Sequence, residues 1–192
     1  MILWADSCCA SWSTGGSVAT IDQHVAANET PVREPVFTQI MQIGIVVRDL
    51  DATIQQYVDE YGIGPWERHD ELTSDNAKDL RVYGQPVALW RVAAASARVG
   101  QVMWDLIAPL DDESIFARFL AENGGGIQHI AVATPNCDQA VAAPAQRGHD
   151  LVLSGTFSGI RVAYLPTDRD LGVILEIFDG LPACVEGEPD TT

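Results

Sequence analysis

The chain has 192 residues, 47% of them hydrophobic and 20% charged, with a formal net charge of −16. That length supports one compact domain with a substantial core rather than two full-sized ones. So acidic a surface repels nucleic-acid phosphates and mildly disfavours polyanions such as coenzyme A thioesters, with only 11 Lys and Arg to offset it. No apolar run approaches the ~20 residues of a membrane helix. The start, Met1-Ile2-Leu3-Trp4-Ala5-Asp6, lacks the basic region of a secretory signal. Cys8, Cys9, Cys137 and Cys184 have no zinc spacing and read as thiols of a reduced cytosol. The expectation is a cytoplasmic protein that handles a small molecule and engages neither nucleic acid nor membrane.

Residues 1 to about 35 are rich in Ser, Thr, Ala and Gly, show no sustained periodicity and end at Pro31-Val-Arg-Glu-Pro35. They read as a loosely held extension, with two prolines discouraging helix. Ile40 to Val47 is a short apolar run expected to form a buried strand. Asp49 or Asp51 is placed to cap a following helix, with Ile54, Tyr57 and Val58 as its apolar stripe and Gly62 to Pro65 as its stop. Arg81–Tyr83, Val87–Ala93 and Val99–Ile107 read as strands. Asp111-Asp112 is expected to cap a second helix carrying Ile115, Phe116, Phe119 and Leu120 on one face, ended by Gly124-Gly125-Gly126. The pattern then restarts with a strand at Gln128–Ala133 and a helix from Asp138 to Gly148, which Pro144 should shorten or kink. Strands follow at Leu151–Leu153, Ile160–Leu165 and Gly172–Phe178, and the tail at 182–192 is acidic.

The two halves, about 37–110 and 126–180, correspond. Gln42-Ile-Gly-Ile-Val-Val matches His129-Ile-Ala-Val-Ala-Thr, and the helix-opening Asp51 and Asp138 are separated by the same 87 residues as Gln42 and His129. The closing strands match as well, Val102-Met-Trp-Asp105-Leu-Ile against Val173-Ile-Leu-Glu176-Ile-Phe. Periodicity on this scale points to duplicated modules.

Gln42, Asp105, His129 and Glu176 each interrupt an otherwise apolar strand. A buried carboxylate costs several kcal/mol unless paired or metal-bound, and no Lys or Arg lies within either carboxylate-bearing run. A shared divalent cation, Mn²⁺, Co²⁺, Fe²⁺ or Mg²⁺, suits this set of oxygen donors plus one imidazole. The alternative is that Asp105 and Glu176 lie on a solvated sheet face and His129 is a hydrogen-bonded core histidine.

These stretches, together with Asp105-Leu-Ile-Ala-Pro-Leu-Asp-Asp-Glu-Ser and Gly126-Ile-Gln-His129-Ile-Ala-Val, resemble the vicinal-oxygen-chelate superfamily of glyoxalase I, extradiol dioxygenases and methylmalonyl-CoA epimerase. The epimerase branch is the nearest. The resemblance covers about residues 36–181. It implies an α+β fold of two βαβββ modules in a cupped mixed sheet with helices outside, and a homodimer for which the residues carry no interface signature. It also implies a divalent metal, zinc included, on Gln42, Asp105, His129 and Glu176. His129 and Glu176 match the family's ligands directly, whereas Asp105 is a shorter carboxylate and Gln42 replaces a histidine. Ala88 aligns with the epimerase's second catalytic glutamate. Alanine moves no proton, so epimerisation of methylmalonyl-CoA in its familiar form is not expected. Ala88 and Trp90, with Trp66 and Tyr164, are expected to line a pocket for a less charged, more apolar substrate. The functional expectation is a metal-assisted lyase or isomerase acting through an enolate-like state, with Glu176, Asp105 and His129 as catalytic groups. Its rivals are a metal-free member using the same acid–base residues for isomerisation or cyclisation, and a non-catalytic binder of small molecules.

Overall fold

In the computed structural model, residues 36–69, 71–87 and 90–179 are described. The N-terminal extension, the acidic tail and Ala88 lie outside them.

Strand β1 (Gln39–Val46) begins the first half. Asp49 caps α1 (Leu50–Tyr61) by accepting from the Ala52 amide at 3.0 Å, and Gly62 ends it at φ +64°, a backbone state glycine adopts without strain. The inward stripe is Leu50, Ile54 and Tyr57, while Val58 is 45% exposed. Short strands β2 (Glu67–Arg68) and β3 (Leu72–Thr73) precede β4 (Ala77–Val82) and β5 (Gln85–Pro86). Then β6 (Arg91–Val99) and β7 (Val102–Pro109) form a hairpin turning at Gly100, φ +63°. The expected strand at Val99–Ile107 is thus divided by a two-residue turn, and the strand before it runs six residues further than expected, to Val99, through alanines of low intrinsic strand preference.

The second half follows the same plan. Ser114, rather than Asp111 or Asp112, caps α2 (Ile115–Asn123) through the Ala117 amide, while the Asp111 carboxylate ties the preceding loop. Strand β8 (Gly126–Ala133) leads to α3 (Cys137–Gln146), capped by Asn136. Pro144 lies inside α3, two residues before its end, and is buried. Strands β9 (Leu153–Phe157) and β10 (Ile160–Leu165), a single turn of helix α4 (Asp168–Leu171) and β11 (Ile174–Asp179) complete the fold.

All eleven strands described belong to one mixed sheet, in the order β2-β6-β7-β1-β8-β11-β10-β9-β4-β5, with β3 beside β6. β1 and β8 pair antiparallel at its centre. On either side the halves repeat: β7 lies parallel to β1 and antiparallel to β6, while β11 lies parallel to β8 and antiparallel to β10. Strand β4 leaves its own half to pair with β9. The sheet is not closed, but its wings face each other: Trp90, just before β6, meets Phe157 of β9 with ring centroids 5.3 Å apart.

Alternation along each strand separates two faces. On the outer face, α1 packs over Ile45, Ala95 and Leu106, and α3 packs over Val132, Leu175 and Ile177. The inner face carries Val46, Val92, Ile107, Val162 and Tyr164, and α2 inserts Ile115 and Phe116 into that core. Every second residue of the central strands therefore points into the cup.

Candidate active site

The inner face presents one row of polar residues across six adjacent strands. Ser96 on β6 pairs with Asp105 on β7, Asp105 with Gly44 on β1, and Gly44 with His129 on β8. Beyond β8, Ala131 pairs with Glu176 on β11, and Glu176 with Tyr164 on β10. The repeat places Gln42 opposite in role to His129, Asp105 to Glu176, Gly44 to Ala131 and Ser96 to Tyr164. Each half thus supplies a nitrogen-bearing side chain, a carboxylate and a hydroxyl.

Gln42 Nε2 donates to Asp105 Oδ2 at 3.0 Å, and the Ser96 hydroxyl donates to Asp105 Oδ1. His69, in the loop after β2, comes within 2.5 Å of Ser96 Oγ through Nε2. Burial pushes the Asp105 carboxyl up in pKa, against the pull of Ser96 and His69. The second trio is deeper. His129 has no exposed surface and Glu176 is 2% exposed; their Nε2 and Oε2 atoms are 3.3 Å apart. Tyr164 is 6% exposed, and its hydroxyl lies 3.5 Å from His129 Nε2. Glu176 Oε2 nevertheless has no hydrogen bond of its own. Burial, reinforced by the charge of Asp105 and opposed by the Tyr164 hydroxyl, pushes Glu176 up to about 8. Burial pulls His129 down to about 3, so its ring is neutral, and holds Tyr164 well above the usual phenol value, so it keeps its proton.

The imidazole lies flat against a glycine. A Cβ at position 44 would sit 2.0 Å from His129 Cε1 and 2.1 Å from Nε2. Tyr164 packs edge-on to the ring at 4.8 Å between centroids, and Phe116 at 6.2 Å. A cavity of about 620 Å³ opens over this row, with Gln42, Asp105, Tyr164 and Glu176 in its wall. Val92, Met103, Phe157 and Val162 make most of the remaining wall apolar, which suits a ligand with few polar groups.

The sequence-derived residues distribute as follows. Gln42, Asp105, His129 and Glu176 share the inner face, as two contacting pairs. Trp90 and Tyr164 border the cavity. Trp66 is on the opposite face, packed on Tyr57 with its indole N–H donating to the Ile63 carbonyl at 2.8 Å. Ala88 is outside the described residues. Gly44, Ser96 and Gln128, which touch the quartet, and His69, which reaches Ser96, are not among the expected site residues. The repeat contained a signal for Ser96, because it faces Asp105 as Tyr164 faces Glu176, but the surrounding alanines concealed the strand.

The donors suit a divalent ion chemically: a half-buried carboxylate on Asp105, a buried one on Glu176 with an unpartnered oxygen, a neutral imidazole and an amide oxygen. Among the described residues, however, no three His, Cys, Asp or Glu side chains are gathered into a metal cluster.

The family model for the glyoxalase/bleomycin resistance protein/dioxygenase superfamily matches residues 41–164. The chain belongs to this superfamily. Among solved structures, a Streptomyces coelicolor methylmalonyl-CoA epimerase variant in complex with 2-nitronate-propionyl-CoA is 26% identical, with a TM-score of 0.54 over 74% of this chain and 96% of that one. A methylmalonyl-CoA epimerase in complex with methylmalonyl-CoA and NH4+ is 25% identical, with a TM-score of 0.53 over 74% and 94%. The Mycobacterium tuberculosis methylmalonyl-CoA epimerase shares the fold at 24% identity and a TM-score of 0.55, over 83% and 95%. No curated protein matches. The vicinal-oxygen-chelate fold that the resemblance implies is therefore present, and the structural relatives include isomerases. No helix among the described residues is long and apolar enough to cross a membrane.

Proposed function

We propose that this protein is an isomerase or lyase that moves a proton at a carbon beside a carbonyl, through an enolate-like state, on a small and fairly apolar substrate. The observation that carries this reading is Glu176. It is a carboxylate buried in the wall of an apolar cavity, raised to about 8, with one oxygen unbonded. A carboxylate so raised is a strong base near neutral pH, and a useful acid once protonated. In its ionised form Oε2 takes the α-proton. Tyr164, the cross-strand neighbour of Glu176, flanks the carboxylate, while Val92, Phe157 and Val162 exclude water and orient the apolar part of the substrate. Protonated Glu176 then returns the proton to the same or a neighbouring carbon. The nitronate bound to the Streptomyces epimerase supports this reading, because a nitronate is a planar anion with an enolate's distribution of charge. Ala88 in place of a second glutamate, and the net charge of −16, favour a less anionic substrate than methylmalonyl-CoA.

Gln42, Asp105, His129 and Glu176 are the residues that would hold a divalent metal. When bound, such an ion supplies Lewis-acid polarisation of a substrate oxygen. The metal-free reading has its own support, since Asp105 is already satisfied by Gln42 and Ser96.

The test is α-proton exchange in D₂O, followed by NMR, with methylmalonyl-CoA, 2-methyl acyl thioesters and small branched ketones. Exchange of a neutral member, abolished by Glu176→Gln, is expected. Binding without exchange of any member would sink the enzymatic reading in favour of a sequestering protein. Metal analysis before and after chelation separates the two forms: exchange that survives complete chelation removes the ion.

A further inference from the structure

On β8 a buried amide lies beside His129. Gln128 is 3% exposed, and its Oε1 lies 2.9 Å from His129 Nδ1 while its Nε2 donates to the Ile115 carbonyl at 3.3 Å. Neighbouring residues of a regular strand point to opposite faces. Here the β1–β8 register shifts between the pairs Gly44–His129 and Ile45–Ile127, so Gln128 is the extra residue of a bulge. A bulge re-aims side chains and is common beside functional sites. This one lets the two consecutive side chains meet.

The bonding order follows from what each group can do. A backbone carbonyl only accepts, so the Gln128 amide must turn its NH₂ toward Ile115. Its oxygen then faces His129, and an amide oxygen only accepts, so Nδ1 must carry the imidazole's proton. Nε2 is left as a lone pair, 3.3 Å from the unbonded Oε2 of Glu176 and 3.5 Å from the Tyr164 hydroxyl.

We propose that Gln128 is the positioning residue of this site: anchored on the first turn of α2, it fixes His129 as the Nδ1–H tautomer and so presents the Nε2 lone pair beside Glu176. The inference rests on the reading of His129 and Glu176 as functional groups. The lone pair and the carboxylate oxygen repel unless a proton or a cation lies between them, so Gln128 makes the gap between the two halves of the pair a seat for positive charge. Tethering the amide to α2 also means that a movement of that helix would release the imidazole.

The experiment is two-dimensional ¹⁵N NMR of the full chain labelled at histidine, after chelation, with His129 assigned by its loss in His129→Gln. The wild type is expected to show the Nδ1–H pattern, with Nδ1 pyrrole-like and Nε2 pyridine-like. Gln128→Leu removes the acceptor and should shift His129 to the Nε2–H form or to exchange between the two, while Gln128→Glu, which keeps an acceptor, should retain the wild-type pattern. An Nε2–H wild type overturns the proposal without any variant, which covers the case in which Gln128→Leu fails to fold. A folded Gln128→Leu with an unchanged ring spectrum overturns it equally. Co²⁺ titration is a separate readout: an affinity that falls about tenfold or more in Gln128→Leu agrees with the cost of removing a ligand's hydrogen-bonding partner. Failure of the wild type to take up Co²⁺ would sink the metal part of the proposed function, whereas the ring spectrum alone sustains or overturns the role of Gln128.

Discussion

The two halves of the row began as copies and now differ in depth. In the first, Asp105 is half-buried and answered on both oxygens, by Gln42 and by Ser96, with His69 behind at the surface. In the second, Glu176 is almost fully buried, its neighbour is a neutral imidazole, and one oxygen is unanswered. The same strand register thus holds one carboxylate in a settled state and the other in a costly one. Uncompensated burial of a carboxylate destabilises a fold, so its place in the cavity wall makes the second half the side on which the proposed proton transfer is expected.

The largest expected effect is on that asymmetry. Glu176→Gln keeps the shape and removes the proton carrier, so the rate of α-proton exchange should fall by roughly 10²–10⁴, the usual contribution of a positioned acid–base group. Asp105→Asn keeps a partner for Ser96 and should cost at least ten times less. Equal losses in the two variants would show that the halves share the proton transfer, and the division of labour would be abandoned.

A smaller effect is expected in stability, at the glycine of the row. Gly44 and Ala131 are equivalent positions, but only Gly44 lies under an imidazole, and a methyl there would overlap the ring. His129 is fully buried and packed by Tyr164 and Phe116, so it has little room to yield. Gly44→Ala should therefore cost about 1–3 kcal/mol by overpacking, read from the urea midpoint. Ala131→Gly should cost about 1 kcal/mol or less, from chain entropy and a lost methyl contact. A Gly44→Ala protein as stable as the wild type would mean that the ring does not rest on that strand.

Much of this was legible in the residues alone. Four polar side chains interrupting apolar strands at matching offsets point to one sheet face, because strand alternation leaves a polar residue in a buried strand few alternatives, and the strands carry all four on the inner face. The partners of the row were harder to see. Ser96 sits in an alanine-rich segment whose strand form comes from packing against α1 and β7 rather than from its own preference, and the turn at Gly100 was hidden within a run of apolar residues. Gln128 acts through a bulge, a break in the alternation that sequence reading assumes. Trp66 was misplaced because an aromatic residue after a turn fits either face of a sheet; its indole N–H found a backbone partner on the outer one. Val58 fits the helical stripe by spacing, but Leu50 occupies the buried position instead.

The last expected effect is on the pH dependence of stability, measured on chelated protein, and it separates the two buried partners by sign. Glu176 is raised in the folded state to about 8, from the ordinary carboxyl value of 4.5. The folded chain then binds its proton more tightly than the unfolded chain does, so this contribution is fully present below pH 4.5 and is lost as the pH climbs through about 8. His129 is lowered to about 3 from 6.5. Its contribution is present above pH 6.5 and is lost as the pH falls toward about 3. Asp105 is also raised, but Ser96 and His69 oppose the effect of burial, so its slope should be shallower. Urea midpoints measured from pH 4 to 8.5 should therefore decline toward the alkaline end, and Glu176→Gln should flatten that decline while leaving the acid limb in place. His129→Gln should flatten the acid limb instead. If Asp105→Asn flattens the alkaline limb as much as Glu176→Gln does, the two carboxylates are equally uncompensated, and the difference in depth between the halves has no energetic consequence.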